Sequence, residues 1–327
     1  MMQDGPRVNG VAKTASASGA PRAAPPTPPS PTRYTRSLPE ICYVLRRKVT
    51  DFLAEQPSGP GLVRDTQEQA RIAMGVIEEA LNRYGPDEVS LAYNGGKDCL
   101  VLLVLILACL PALLPPSAAS IPTVPAPVPV PVPVAVPVQG SKQQQQRPDL
   151  PSKLPSETTI PAPADSSPQP LQAIYIAPPD PFPEVEDFVA TSTQEYNLDL
   201  VRYALPMRRA LEAYIGDRPS VRAIFMGTRR TDPHSEFLEH FSPTDADWPQ
   251  LMRVNPLIDW HYAEIWTFIR HLELSFCCLY DRGFSSLGGM TNTRPNPALA
   301  LDVEKKTFRP AYELVRDDEE RLGRDSR

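Results

Sequence analysis

Two short stretches combine residue types that handle phosphate. The first reads Asn94-Gly95-Gly96-Lys97-Asp98, directly after one apolar run and directly before a leucine-rich one. Glycines let backbone N–H groups approach an anion, and a helix start adds a favourable partial charge. Lys97 can neutralise a phosphate oxygen and Asp98 can bind magnesium. The order is not that of the common nucleotide-triphosphatase loop G-x-x-x-x-G-K-[ST], which needs glycine at Leu91 and Ser or Thr at Asp98. The second stretch carries Gly227, Thr228, Arg229, Arg230 and Asp232. Adjacent arginines offer forked donors for phosphate, and a carboxylate two residues on can hold a cation between phosphates. Such a run on a surface is an ordinary solvated salt bridge. Its place after a second apolar strand is what turns the reading towards chemistry.

Both stretches need a scaffold that brings them together. Ser37 and Glu40 have the spacing of a capping box, which predicts a helix to about residue 55, and Asp65 with Glu68 predicts another to about 84. A strand over 88–93 and a helix over 98–110 flank the first stretch. Further on, the pattern predicts strands over 173–177, 199–205 and 221–226, with helices over 183–196, 207–215 and 259–272. This alternation implies an α/β fold with a mainly parallel sheet and helices on both faces. Ligands in such sheets bind at the carboxyl ends of the strands, where both stretches fall.

Composition narrows the function. The formal charge of −6 lacks the basic character of a nucleic-acid or anionic-membrane binder. An anionic ligand must therefore meet local arginines. Five cysteines without paired metal-ligand spacing, and no secretory signal, imply a reduced cytoplasmic protein. Cys99, beside the first stretch, reads as a small buried residue. The apolar run 100–110 stops at Pro111, far short of the roughly 20 residues a membrane span requires. Residues 1–36 read as a disordered tail. Residues 111–170 hold 17 of the 41 prolines and read as a disordered insertion within one domain spanning 37–327, because a lone strand and helix before it could not bury their own faces.

The blocks "YNGGKD" at 93–98 and "MGTRRTDPH" at 226–234 resemble FAD synthetase, the FMN adenylyltransferase of the fungal and animal type. So do "TDADWPQLMRVNPLIDWHYAEIWTFI" at 244–269, "LYDRGFSSLGGMTNTRPNPAL" at 279–299 and "RPAYELVRDDEERLGR" at 309–324. The resemblance implies an adenine-nucleotide alpha-hydrolase-like sheet, shared with phosphoadenylyl-sulfate reductases. It also implies transfer of the adenylyl group of ATP to FMN, giving FAD and pyrophosphate with Mg²⁺. A phosphate monoester is largely a dianion at neutral pH, so this nucleophile needs no general base. His234, His240, His261 and His271 are accordingly read as structural or surface groups.

Carried over residue by residue, the resemblance puts Asn94, Lys97, Asp98, Asp232, Arg321 and Arg324 in the catalytic set, with Asp98 and Asn94 beside the metal. It gives nucleotide and flavin contacts to Tyr93, Gly95, Gly96, Ile176, Gly227, Thr228, Arg229, Arg230, Asp245 and Trp248. Thr244–Trp248 with Trp260 offers an apolar slot for the flavin, although Trp260 lies in a helix with an ordinary core stripe, where packing is the stronger reading. Arg321 and Arg324 are expected on one face of a terminal helix, with Asp317, Asp318, Glu319 and Glu320 as neighbouring partners. Trp266 is read as packing. Two rivals stay open. One is a nucleotide- or flavin-binding regulator without catalysis. The other is a reductase-like enzyme, which normally wants a reactive cysteine near the carboxyl terminus; none follows Cys278.

Overall fold

The computed structural model describes residues 36–57, 59, 61–110, 169–302 and 307–325, which fall within one compact unit, Thr35–Arg327. The tail expected over 1–36 and the insertion expected over 111–170 lie outside the described residues, apart from Arg36, Gln169 and Pro170.

Helix α1 (Leu38–Ala54) starts where the capping box predicts, with the Ser37 N–H donating to the Glu40 carboxylate at 2.8 Å. Helix α2 (Leu62–Tyr84) begins three residues before Asp65, with Gly61 as its N-cap. Asp65 thus lies in the first turn, where a negative charge suits the helix N-terminus. Strand β1 (Val89–Ala92) leads through the Gly-Gly turn into α3 (Lys97–Cys109). Apart from Asp98, every residue of α3 is buried, and each enclosed leucine contributes roughly 2 kcal/mol. After residues 111–168 come β2 (Leu171–Ile176), α4 (Pro183–Glu195), β3 (Leu198–Tyr203), α5 (Met207–Asp217) and β4 (Ala223–Phe225).

Two strands were not legible in the pattern, β5 (Phe241–Pro243) and β6 (Met252–Val254). Each is only three residues long, too short for a period-2 signal. Helix α6 (Tyr262–His271) follows, and a small antiparallel pair, β7 (Ala300–Asp302) and β8 (Thr307–Phe308), comes last.

The main sheet has the order β3-β2-β1-β4-β6-β5, parallel throughout except that β5 runs antiparallel to β6. Alternate residues divide it between two cores. Val89, Leu91, Ala173, Tyr175, Ala223 and Phe225 pack with α1, α2, α3, α4 and α6. Ile174, Ile176, Val201 and Ile224 pack on the opposite face against Leu211, Tyr214 and Ile215 of α5. No helix among the described residues is long and apolar enough to cross a membrane. Leu110 and Gln169, on either side of residues 111–168, line one small cavity with Pro86 and Asp87, which precede β1.

Candidate functional site

Strands β1 and β4 are parallel neighbours, with Leu91 opposite Phe225, so the loops leaving their carboxyl ends meet. The meeting is close. A β-carbon on Gly227 would lie 2.9 Å from the Cys99 backbone nitrogen and 3.1 Å from the Asp98 carbonyl carbon. Gly95 has φ +72, the left-handed region that favours glycine, and a β-carbon there would sit 2.8 Å from Val189 Cγ2.

At these strand ends lies a cleft of about 670 Å³. Asn94, Gly96, Lys97 and Asp98 line it from the first loop, Gly227, Thr228 and Asp232 from the second, and Ile176 from the end of β2. Arg321 and Arg324 close it from the carboxyl-terminal segment. A second, mainly apolar cavity of about 350 Å³ shares Asn94, Ile176 and Met207 with the first and extends over α5. Tyr93, Asp245 and Trp248 line it, with Thr244 and Arg253. Apart from Gly95, Arg229 and Arg230, the sequence-predicted residues thus fall into two adjoining chambers. No histidine lines either.

Several predicted side chains are committed to one another. Asp98 accepts from Lys97 Nζ through Oδ2 at 2.9 Å and from Arg229 Nε through Oδ1 at 2.8 Å. Glu320 accepts from the same lysine at 2.5 Å and from Arg229 Nη2. The result is a ring of two cations and two anions. Burial alone would raise the Asp98 carboxyl, but Lys97 and Arg229 outweigh it and hold it below its ordinary range. The Lys97 ammonium is opposed by burial too, and Asp98 and Glu320 raise it regardless.

This ring corrects the expectation that Lys97 and Arg229 offer free charge to phosphate. Their side chains are 2 % and 1 % exposed, and Arg229 does not line the cleft. Isolated buried charges are costly, so each ammonium or guanidinium closes on carboxylates. Arg230 turns away altogether, donating to Asp259 at 2.6 Å and to the carbonyls of Glu236 and Leu238 at 3.0 Å each. Gly96 does not aim its N–H at an anion either, because it donates to Asn94 Oδ1 at 2.9 Å. Lys97 gives its backbone N–H to the Tyr280 hydroxyl at 2.8 Å.

The carboxyl-terminal segment also differs from expectation. Residues 317–319 make one 3-10 turn, and Arg324 bridges to Thr293 in extended pairing, so no terminal α-helix carries the two arginines. Arg321 stands 3.5 Å from Asp232. Arg324 donates to the Leu287 carbonyl at 2.8 Å, and its Nε is buried without a partner. Burial and the neighbouring Arg321 charge pull its guanidinium below its usual value. Trp260 is a core residue, edge-on to Phe268 and wholly buried, rather than flavin-slot lining. Trp266 packs against Tyr280, Phe276 and Tyr312, as read.

Sequence reasoning took Glu320 for one partner in an exposed charge run, and it passed over Tyr280. Within "DDEERLGR" nothing distinguishes the one acid that turns inward, since a short turn carries no helical period. Tyr280 and Arg253 sit in blocks already singled out, yet no spacing rule marks them.

A family model for the phosphoadenosine phosphosulfate reductase domain matches residues 201–295. The probable FAD synthase of Schizosaccharomyces pombe is 32% identical over 260 residues, which cover 80% of this chain and 80% of that protein. The probable FAD synthase of Caenorhabditis elegans is 30% identical over 257 residues, 77% of this chain but 39% of that protein. A crystal structure of yeast FAD synthetase in complex with FAD superposes with a TM-score of 0.68 at 26% identity, covering 89% of this chain and 100% of that one. At 32% identity over four-fifths of both chains, the chain belongs to the FAD synthase family.

Proposed function

We propose that this chain is an FMN adenylyltransferase, a nucleotidyltransferase that joins the AMP portion of ATP to the phosphate of FMN, releasing pyrophosphate and giving FAD, the last step of FAD biosynthesis. Arg324 carries the reading. Its guanidinium faces the cleft with an unpartnered buried Nε, touches neutral oxygens at Leu287 and Ser286, and is depressed by burial. A cation so placed is completed by an anion.

An FMN phosphate oxygen attacks the α-phosphorus of ATP, and the bond to the bridging oxygen of pyrophosphate breaks. The nucleophile is already a dianion, so no proton need be taken from it, in keeping with chambers free of histidine. What remains is to hold two polyanions together in line. Arg321 and Arg324 neutralise the phosphates. The apolar chamber with Trp248, Ile176 and Tyr93 takes the isoalloxazine ring, and Asp245 offers it a polar edge. Gly95, Gly227 and Thr228 let the two loops close on the ligand.

Among the described residues no group of three His, Cys, Asp or Glu could cage a metal ion. Magnesium arriving on ATP asks for less, one or two carboxylates beside phosphates and waters. Asp98 and Asp232 both line the cleft and fit that role. Asn94 fits it poorly, since its Oδ1 already accepts from Gly96 and from the Cys99 thiol at 3.0 Å. Bound there, magnesium would supply charge neutralisation between the phosphates.

The same reading makes 37–327 one catalytic domain interrupted at 111–170, with small nucleotides as partners. Five free cysteines suit a cytoplasmic enzyme. Purified chain incubated with ATP, FMN and Mg²⁺ should give FAD and pyrophosphate in equal amounts. Absence of both would overturn the proposal.

A further inference from the structure

Glu320 is buried at the junction of three segments remote in sequence. Its carboxylate spans Lys97 of α3 and Arg229 of the β4 loop. Its own backbone carbonyl is held in turn by the Ser285 hydroxyl at 2.6 Å, and Asn296 Nδ2 donates to the adjoining Glu319 carbonyl at 2.7 Å. The residue is therefore fixed at both ends. Its sequence neighbours are fixed through it: Asp317 accepts from the Tyr262 N–H at the start of α6 at 2.6 Å, and Arg321 reaches Asp232 across the cleft.

Of the four members of the ring, Asp98 alone is appreciably open, at 21 %. Lys97 and Glu320 also line the cleft but are only 2 % and 6 % exposed, and Arg229 lies outside the lining. Without Glu320, Lys97 would keep only Asp98 as carboxylate partner, Arg229 would keep Asp98 and, at 3.5 Å, Asp317, and Arg321 would lose the anchor immediately before it. We infer that Glu320 is a positioning residue, the strut by which the carboxyl-terminal segment sets both Asp98 and Arg321 relative to the phosphates. This rests on the adenylyltransferase reading and adds to it a cleft-lining residue whose carboxylate is committed to Lys97 and Arg229.

The strut acts on alignment, so its loss should appear in kcat and hardly in ATP affinity. Glu320→Gln keeps the volume and removes the charge that holds two cations. Its kcat for FAD formation should fall roughly 10- to 100-fold, the usual loss when a group that orients a ligand-holding side chain is removed, while the KM for ATP stays within roughly threefold. Glu320→Asp, which keeps the charge but shortens the reach, should recover part of the loss. Thermal unfolding and circular dichroism on the same preparations give the folded fraction. A residue that serves stability alone would lower Tm and leave kcat per folded molecule at the wild-type value, which would overturn the inference. Should Glu320→Gln fail to fold, the Asp variant decides in its place, and wild-type kcat there has the same meaning. A wild-type chain that makes no FAD sinks the adenylyltransferase reading itself, and the inference goes with it.

Discussion

Gly227 faces the Cys99 amide so closely that a single β-carbon would stand 2.9 Å from its nitrogen, so the β4 loop and the start of α3 are joined backbone to backbone. Neither side of that contact is a flexible side chain tip. Gly227→Ala should therefore push the two loops apart, costing about 1–3 kcal/mol and a larger share of FAD formation than of stability. Chemical denaturation beside steady-state kinetics checks this, and an alanine variant with wild-type turnover would show that the close approach is dispensable.

Asp98 is the most open of the ring members that line the cleft. Asp98→Asn keeps its shape but gives up the charge, and FAD formation should drop by at least about 100-fold, as for removal of one preorganised charged contact. Glu320 remains to hold Lys97 and Arg229, so the variant should still fold and still bind ATP by calorimetry. Full turnover would refute the assignment of Asp98.

The same residue predicts an acid limb. Lys97 and Arg229 hold the Asp98 carboxyl below 3.8, its ordinary value, against the opposing effect of burial. A carboxyl lowered on folding contributes stability that is present above the unfolded value and lost as pH falls through the folded one. Unfolding free energy should thus fall more steeply below about pH 4 in the wild type than in Asp98→Asn. Parallel curves would mean that the ring is not intact in solution.

Arg321 and Arg324 separate stability from function. Arg321 is half-exposed and 3.5 Å from Asp232, a contact that contributes under about 1 kcal/mol. Arg321→Ala should leave Tm nearly unchanged while lowering kcat/KM for ATP by roughly 10- to 100-fold. Arg324→Ala should do the same to activity and also loosen the 286–288 segment it binds. The measurement is paired thermal melts and kinetics, and an Arg321 variant with unaltered kcat/KM would remove that residue from the site.

Thiol chemistry offers a check that needs no substrate. Burial pushes the thiols of Cys42, Cys99 and Cys109 up to about 12 and that of Cys277 up to about 11, whereas Cys278 is exposed. Thiolate is the reactive form, so a maleimide should modify one cysteine quickly in the native chain and all five in denaturant. Fast native labelling at Cys99 would place that side chain in the open cleft.

Much of this architecture is readable from the chain because long elements with strong periodicity announce themselves. The capping box at Ser37, the buried run of α3 and the Gly-Gly-Lys-Asp turn were all legible for that reason. So was the meeting of the two loops, which follows from parallel strands placed side by side. The charge ring was not. Lys97, Asp98 and Arg229 were visible as charged types, but their pairing depends on Glu320, 223 residues from Lys97 and 91 from Arg229, and no local pattern encodes that pairing. The three-residue strands β5 and β6 were missed because pairing, of β6 with β4 and of β5 with β6, rather than propensity, makes them strands.

The fold also separates two jobs by pole. Asp98, Asp232 and Arg321 gather where the parallel strands finish, while Leu110 and Gln169 share a cavity with residues that precede β1, where those strands begin. The residues that flank 111–168 thus lie near one another, at the other end of the strands from Asp98, Asp232 and Arg321. For protein engineering that pole is the place to splice in a reporter domain, since the join faces away from the reacting phosphates.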